Sequence, residues 1–147
     1  MTQHELNEEA YSRIKRLCAE GDALVGQRQF EKAFGCYRDA LNIVPKPVEE
    51  WEATTWILAA IGDLYFTEEK TEKALSAFED AVRCPGGLGN PFIHLRLGQC
   101  YFELGKQDRA ADELTRAYMA GGLEILENEN PKYLQFLLTI LKPPANG

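Results

Sequence analysis

A glycine followed twelve residues later by an alanine recurs three times along the chain, with large apolar residues at matched positions around each pair. The glycines are Gly21, Gly62 and Gly98, and the alanines are Ala33, Ala74 and Ala110. Four residues after each alanine stands a large group, Tyr37, Phe78 or Leu114, and three after that a second alanine, Ala40, Ala81 or Ala117. Tyr65 and Tyr101 lie three residues after the second and third glycines, and Leu24 fills that place in the first copy. Such spacing predicts pairs of helices that cross where two small residues meet, with the large side chains filling the space that the small ones leave. A bulkier residue at a crossing would push the helices apart. Pro45 closes the first copy and Pro85 the second.

These positions resemble the tetratricopeptide-repeat family, and the resemblance covers roughly residues 14 to 122. It implies an all-α fold: three helix-turn-helix hairpins in a right-handed α-solenoid, with repeats at about 14–47, 55–88 and 91–124 in one domain spanning 1–147. The chain departs from the family in two ways. The aromatic expected nine residues after each glycine survives only as Phe30, being Thr71 and Gln107 in the later copies. The glycines are also 41 and 36 residues apart, against the family's 34.

Seven extra residues fall around Pro47 to Thr54, and seven is about two helical turns. Pro47 followed by Val48, Glu49 and Glu50 has the character of a helix start. One long helix from about Val48 to Phe66 is therefore expected, presenting Trp51 beyond the repeat edge. The second interval carries its extra residues in the stretch from Pro85 to Pro91, which reads as a plain connector because no Gly-Lys-Ser/Thr follows to cradle phosphate. Pro131 starts a final predicted helix at about 131–141, with Leu134, Leu137, Leu138 and Leu141 on one stripe, as expected of a helix capping a repeat array. The tail from Lys142 to Gly147 reads as frayed.

Composition narrows the function. Sixteen Lys+Arg against 23 Asp+Glu give a net charge of -7, which disfavours nucleic acid and anionic membranes and favours a basic partner. Cys18, Cys36, Cys84 and Cys100 form no CxxC pair, the N-terminus has no apolar leader and no 18-residue apolar run occurs, so a reducing, cytoplasmic setting is expected. Of the two histidines, His4 lies in an N-terminus expected to be mobile and His94 at a packing position four before Gly98. Cys100 stands where helix packing wants a small residue. The acidic clusters lack the alternation of a calcium loop. No catalytic residue, metal or cofactor is assigned, and the chain is expected not to be an enzyme.

The resemblance implies that the first helix of each hairpin lines a concave groove, with exposed residues six and three before the glycine and one and four after it. Here those are Lys15, Cys18, Asp22 and Val25; Trp56, Ala59, Asp63 and Phe66; Phe92, Leu95, Gln99 and Phe102. Lys15, Asp22, Trp56, Asp63, Phe66, Phe92, Arg96, Gln99 and Phe102 are the candidate partner-binding residues. Aromatic anchors beside carboxylates suit an apolar, partly basic partner protein. A groove filled by the chain's own cap would move binding elsewhere. The clamp that captures heat-shock chaperone tails in this family is absent: Cys18, Asp22, Ala60 and Phe92 replace its Lys, Asn, Asn and Lys, and only Arg96 remains. The chain is also similar to small stand-alone repeat proteins found beside bacterial polymorphic toxins. That resemblance implies an immunity protein inhibiting a basic toxin or effector, with a secretion chaperone or assembly adaptor as the alternative.

Overall fold

A computed structural model describes residues 6–141 of the chain, so His4 and the tail after Leu141 lie outside the described residues. The helices are α1 (Glu8–Gly26), α2 (Phe30–Ile43), α3 (Glu52–Thr67), α4 (Thr71–Val82), α5 (Pro91–Glu103), α6 (Gln107–Gly121) and α7 (Pro131–Ile140), with 3₁₀ turns at Val48–Glu50 and Leu123–Leu126. No strand occurs among the described residues. Two compact units form, one ending at Leu88 and one beginning at Gly89. The first holds the hairpins α1/α2 and α3/α4; the second holds α5/α6 and α7.

The small and large positions meet as the spacing predicts. A Cβ added to Gly21 would lie 2.6 Å from Tyr37, one on Gly62 2.8 Å from Phe78, and one on Gly98 2.6 Å from Leu114. The alanines Ala33, Ala74, Ala110, Ala40, Ala81 and Ala117 are all fully buried. Each hairpin turn repeats one geometry. The amide of Gln29, Lys70 or Lys106 donates to the carbonyl of Leu24, Tyr65 or Tyr101, each at 2.9 Å. That turn demands a left-handed residue seven after the repeat glycine, and Arg28, Glu69 and Gly105 supply it with φ of 60°, 61° and 77°.

The starts of α1, α5 and α7 are capped by asparagine side chains. Asn7 accepts from the Ala10 amide, Asn90 from Phe92 and Ile93, and Asn130 from Lys132. Proline follows the cap in α5 and α7, where its missing N–H costs nothing.

The expected helix from Val48 to Phe66 is broken. Val48–Glu50 is a 3₁₀ turn, Trp51 is extended at φ -113° and ψ 136°, and α3 begins only at Glu52. Burial of the indole explains the break. Trp51 is only 8 % exposed, in the core with Val44, Ala53 and Ile57, where a continuous helix would have held it outside. The hydroxyl of Thr54 donates to the Val48 carbonyl at 2.5 Å and locks the turn. The extra residues thus put a plug, Trp51, into the core of the first unit, and the expectation of an outward Trp51 is corrected.

Candidate functional site

In the first unit, α1 and α3 lie side by side as the leading helices of their hairpins. Positions 11, 15, 18, 22 and 25 of α1 follow alternating steps of four and three, which keeps them on one stripe. Trp56 of α3 is 40 % exposed and Tyr11 38 %, and their rings sit 5.8 Å apart, tilted by 55°. The Lys15 ammonium lies 5.2 Å from the Tyr11 ring centre. Further along the stripe, the Tyr37 hydroxyl donates to Asp22 Oδ1 at 2.6 Å. Burial, that hydrogen bond and the nearby charges of Asp22, Cys18 and Asp63 all push the Tyr37 phenol upward. Cys18 is pushed up to about 11 by burial, Asp22 and Cys36. Both carboxylates thus act on one locus, and a weakly acidic thiol beside them is a poor nucleophile. Asp63 and Phe66 are half-buried on α3. Lys15, Asp22, Trp56, Asp63 and Phe66 therefore share the first unit, on two adjoining helices.

The second unit treats its candidates differently. Phe102 packs edge-on against Tyr133 and Phe136, with ring centres 5.4 and 5.2 Å away. Gln99 is wholly buried, and its Nε2 donates to Glu129 at 2.7 Å. Arg96 donates from Nη1 to both Glu129 and the Gln99 oxygen, each at 2.7 Å. The Arg96 guanidinium also stacks 4.7 Å from the half-buried Phe92 ring. Leu95 is buried with Leu126 and Leu137. The segment after α6 and α7 thus cover this stretch of α5.

Two family models describing the tetratricopeptide repeat match the chain, one over residues 8–84 and one over 93–120. The chain belongs to the tetratricopeptide-repeat family. Solved structures agree in fold. The first TPR of Spaghetti (RPAP3), bound to HSP90 peptide SRMEEVD, superposes with a TM-score of 0.66 at 20 % identity over 88 % of this chain and 91 % of that one. The N-terminal domain of stress-induced protein-1 (STI-1) from C. elegans gives 0.67 at 17 % identity, covering 93 % of this chain and 100 % of that one. The Sgt2 TPR domain from Aspergillus fumigatus gives 0.67 at 20 % identity, covering 100 % and 93 %. No curated protein matches the chain.

His94 does packing work in this tetratricopeptide-repeat fold. It is buried at 2 % exposure, and its Nε2 accepts from the Gly89 amide at 2.9 Å. That bond leaves the proton on Nδ1, which donates to Glu113 at 3.0 Å. With both nitrogens engaged, the ring ties the connector to α6. Cys100 is buried, as its position beside Gly98 predicts. Among the described residues no helix is long and apolar enough to cross a membrane.

Two groups of site residues escaped the sequence reading. Tyr11 stands one step before the family's groove positions, although the stripe of α1 extends back to it. Tyr133 and Phe136 fall in the predicted cap and Glu129 just before it, but their contacts with α5 carry no sequence signal, since only the fold brings them there.

Proposed function

We propose that this tetratricopeptide-repeat chain is a non-catalytic protein-binding module and that its partner docks on the α1/α3 face of the first unit. The observation that carries this reading is the exposed Tyr11–Trp56 pair on the same face as Asp22 and Asp63. Large amphipathic rings lose little conformational freedom on binding and dominate interface energies. Carboxylates nearby select a basic complement, and the net charge of -7 speeds its approach. The partner is accordingly a protein that offers apolar groups flanked by Lys or Arg.

Charge is also the support for the finer role, inhibition of a basic toxin or effector domain in the cytoplasm. Shielding of a client segment is the other role such a face serves. The Spaghetti domain binds an HSP90 peptide, but here the positions of a carboxylate clamp are held by Cys18, Asp22, Ala60 and Phe92, and Arg96 is already paired with Glu129. Asp22 would repel a carboxylate tail, so a heat-shock co-chaperone role is disfavoured.

The test is co-purification from native lysate with the wild-type chain and with Tyr11→Ala/Trp56→Ala, followed by activity assay of whatever binds. A partner lost from the variant, with helicity unchanged, supports the α1/α3 face; undiminished capture refutes it. Abolished partner activity identifies an inhibitor, and improved client solubility identifies a chaperone.

A further inference from the structure

The residues that lengthen the first repeat interval do more than seat Trp51. Their 3₁₀ turn forms one wall of a cleft of about 530 Å³, which opens between Leu41 of α2, Val48 and Glu49 of the turn, Leu58 of α3 and Cys84 just past α4. The cleft lies wholly within the first unit. Its size falls within the range of small-molecule sites, about 300–1,000 Å³. That wall is particular to this chain, because the interval of 41 residues between Gly21 and Gly62 supplies it. Leu58 follows Trp56 by two residues, about 200° around a helix, so the cleft opens away from the α1/α3 face.

Most polar groups of the cleft are already engaged. The Thr54 hydroxyl donates to the Val48 carbonyl at 2.5 Å, and the Cys84 thiol to the Asp80 carbonyl at 3.4 Å. At the mouth, Arg83 holds the Asp80 carboxylate at 2.5 Å. A floor of half-buried Leu41, Val48 and Leu58 remains, together with the exposed carboxylate of Glu49. The mouth therefore carries one carboxylate in excess of its cations. Cys84 is no nucleophile here, because burial, then the charges of Asp80 and Glu49, push its thiol upward, with Arg83 opposing. Among the described residues no three His, Cys, Asp or Glu side chains gather to hold a metal ion. The occupant that fits is apolar along its length and positive at one end. Its body leaves water for the aliphatic floor, and its charge stays in the wet mouth beside Glu49.

We propose that this cleft is a binding site for a small amphipathic amine, an alkyl or aryl-alkyl chain ending in a protonated nitrogen. A lysine side chain offers the same groups in the wrong order. Tethered to a backbone, it enters tip first and carries its ammonium to the aliphatic floor, where an unpaired charge is costly. A free amine enters body first and leaves its charge at Glu49. The site stands or falls independently of protein docking on the α1/α3 face.

The test titrates the full chain with phenylbutylamine and, in parallel, with phenylbutyrate, followed by backbone amide NMR shifts. Saturable shifts should gather at Leu41, Val48, Leu58 and Cys84, and the amine should bind at least about tenfold more tightly than the acid. Glu49→Gln, a change at an exposed position, should bring the two within about threefold of each other. Leu58→Trp should fill the cleft and abolish binding of both; if that variant fails to fold, the Glu49 comparison decides alone. The peptide Gly-Leu-Lys-Leu-Gly, which presents its ammonium tip first, should bind at least about tenfold more weakly than the amine. Binding of that peptide as tight as the amine's would give the cleft to a protein side chain and overturn the assignment. So would the absence of saturable shifts up to about 10 mM amine, shifts centred on Tyr11 and Trp56 instead, or an amine preference that survives Glu49→Gln.

Discussion

The hydroxyl of Tyr37 reaches through the first hairpin to donate a 2.6 Å hydrogen bond to Asp22, so a core ring that packs against Gly21 also positions a carboxylate of the proposed docking face. Stability and recognition meet in that one side chain. Tyr37→Phe keeps the ring and removes only the bond. It should cost about 1 kcal/mol in urea unfolding, the usual worth of a bond whose acceptor stays in reach of water, with no change in helicity.

Alkaline pH should weaken the fold through the same group. Burial and then hydrogen bonding to Asp22 hold the Tyr37 phenol above its ordinary value of 10.0, and burial and Glu103 do the same for Tyr133. Cys18 is raised from 9.0 to about 11. The unfolded chain releases these protons before the folded chain does, so stability falls as pH rises. The loss begins near pH 9 through Cys18 and steepens above pH 10 through the phenols. Urea midpoints measured from pH 8 to 11 should decline, and Tyr37→Phe/Tyr133→Phe should flatten the upper part of the curve.

The glycines divide into two kinds. A Cβ on Gly98 would meet Leu114 Cγ at 2.6 Å and the Leu114 backbone nitrogen at 3.0 Å, which cannot move aside, so Gly98→Ala should lower stability by about 1–3 kcal/mol. Gly35 lies inside α2 with only the tip of Arg38 within 4 Å, at 3.7 Å. Gly35→Ala should therefore raise stability by about 0.5–1 kcal/mol. Thermal melts of the two variants should shift in opposite directions.

The hairpin turns offer a comparison within one molecule. Arg28 and Glu69 adopt the left-handed conformation that Gly105 holds without strain at the equivalent place. Glu69→Gly should stabilise the second hairpin by up to about 1 kcal/mol. An unchanged or lower melting temperature would show that Glu69 makes a compensating interaction.

Phe102 and Trp56 should part company under mutation. Phe102→Ala empties the space between α5 and α7 and should destabilise the second unit by about 2–3 kcal/mol, less than a fully buried phenylalanine because the ring is half-buried. Trp56→Ala should leave the melt nearly unchanged and weaken partner binding by about 2 kcal/mol, measured by calorimetry.

The hairpins were legible in the sequence because each crossing is marked by residue size at a fixed offset, and size is a property of the residue alone. A different local signal, Pro131 with a leucine stripe behind it, marked α7. Trp51 misled for a contrary reason: the Pro-Val-Glu-Glu signature is a local helix signal, and a buried indole overrode it from outside the window. Gln99 reads as a polar groove residue and is fully buried, because Glu129, thirty residues away, satisfies its amide. Long-range pairing of polar groups leaves no periodic trace. The aromatic stripe from Tyr11 to Trp56 was half visible, through the spacing within α1 but not the ring contact across helices.

The plug at Trp51 has an optical consequence. The chain has two tryptophans, five residues apart, one sealed in the core and one exposed on the proposed docking face. Trp51 should emit to the blue and report unfolding; Trp56 should emit to the red and respond to a partner's arrival. One emission spectrum therefore separates the two events without any added label, and Trp51→Phe or Trp56→Phe assigns each band.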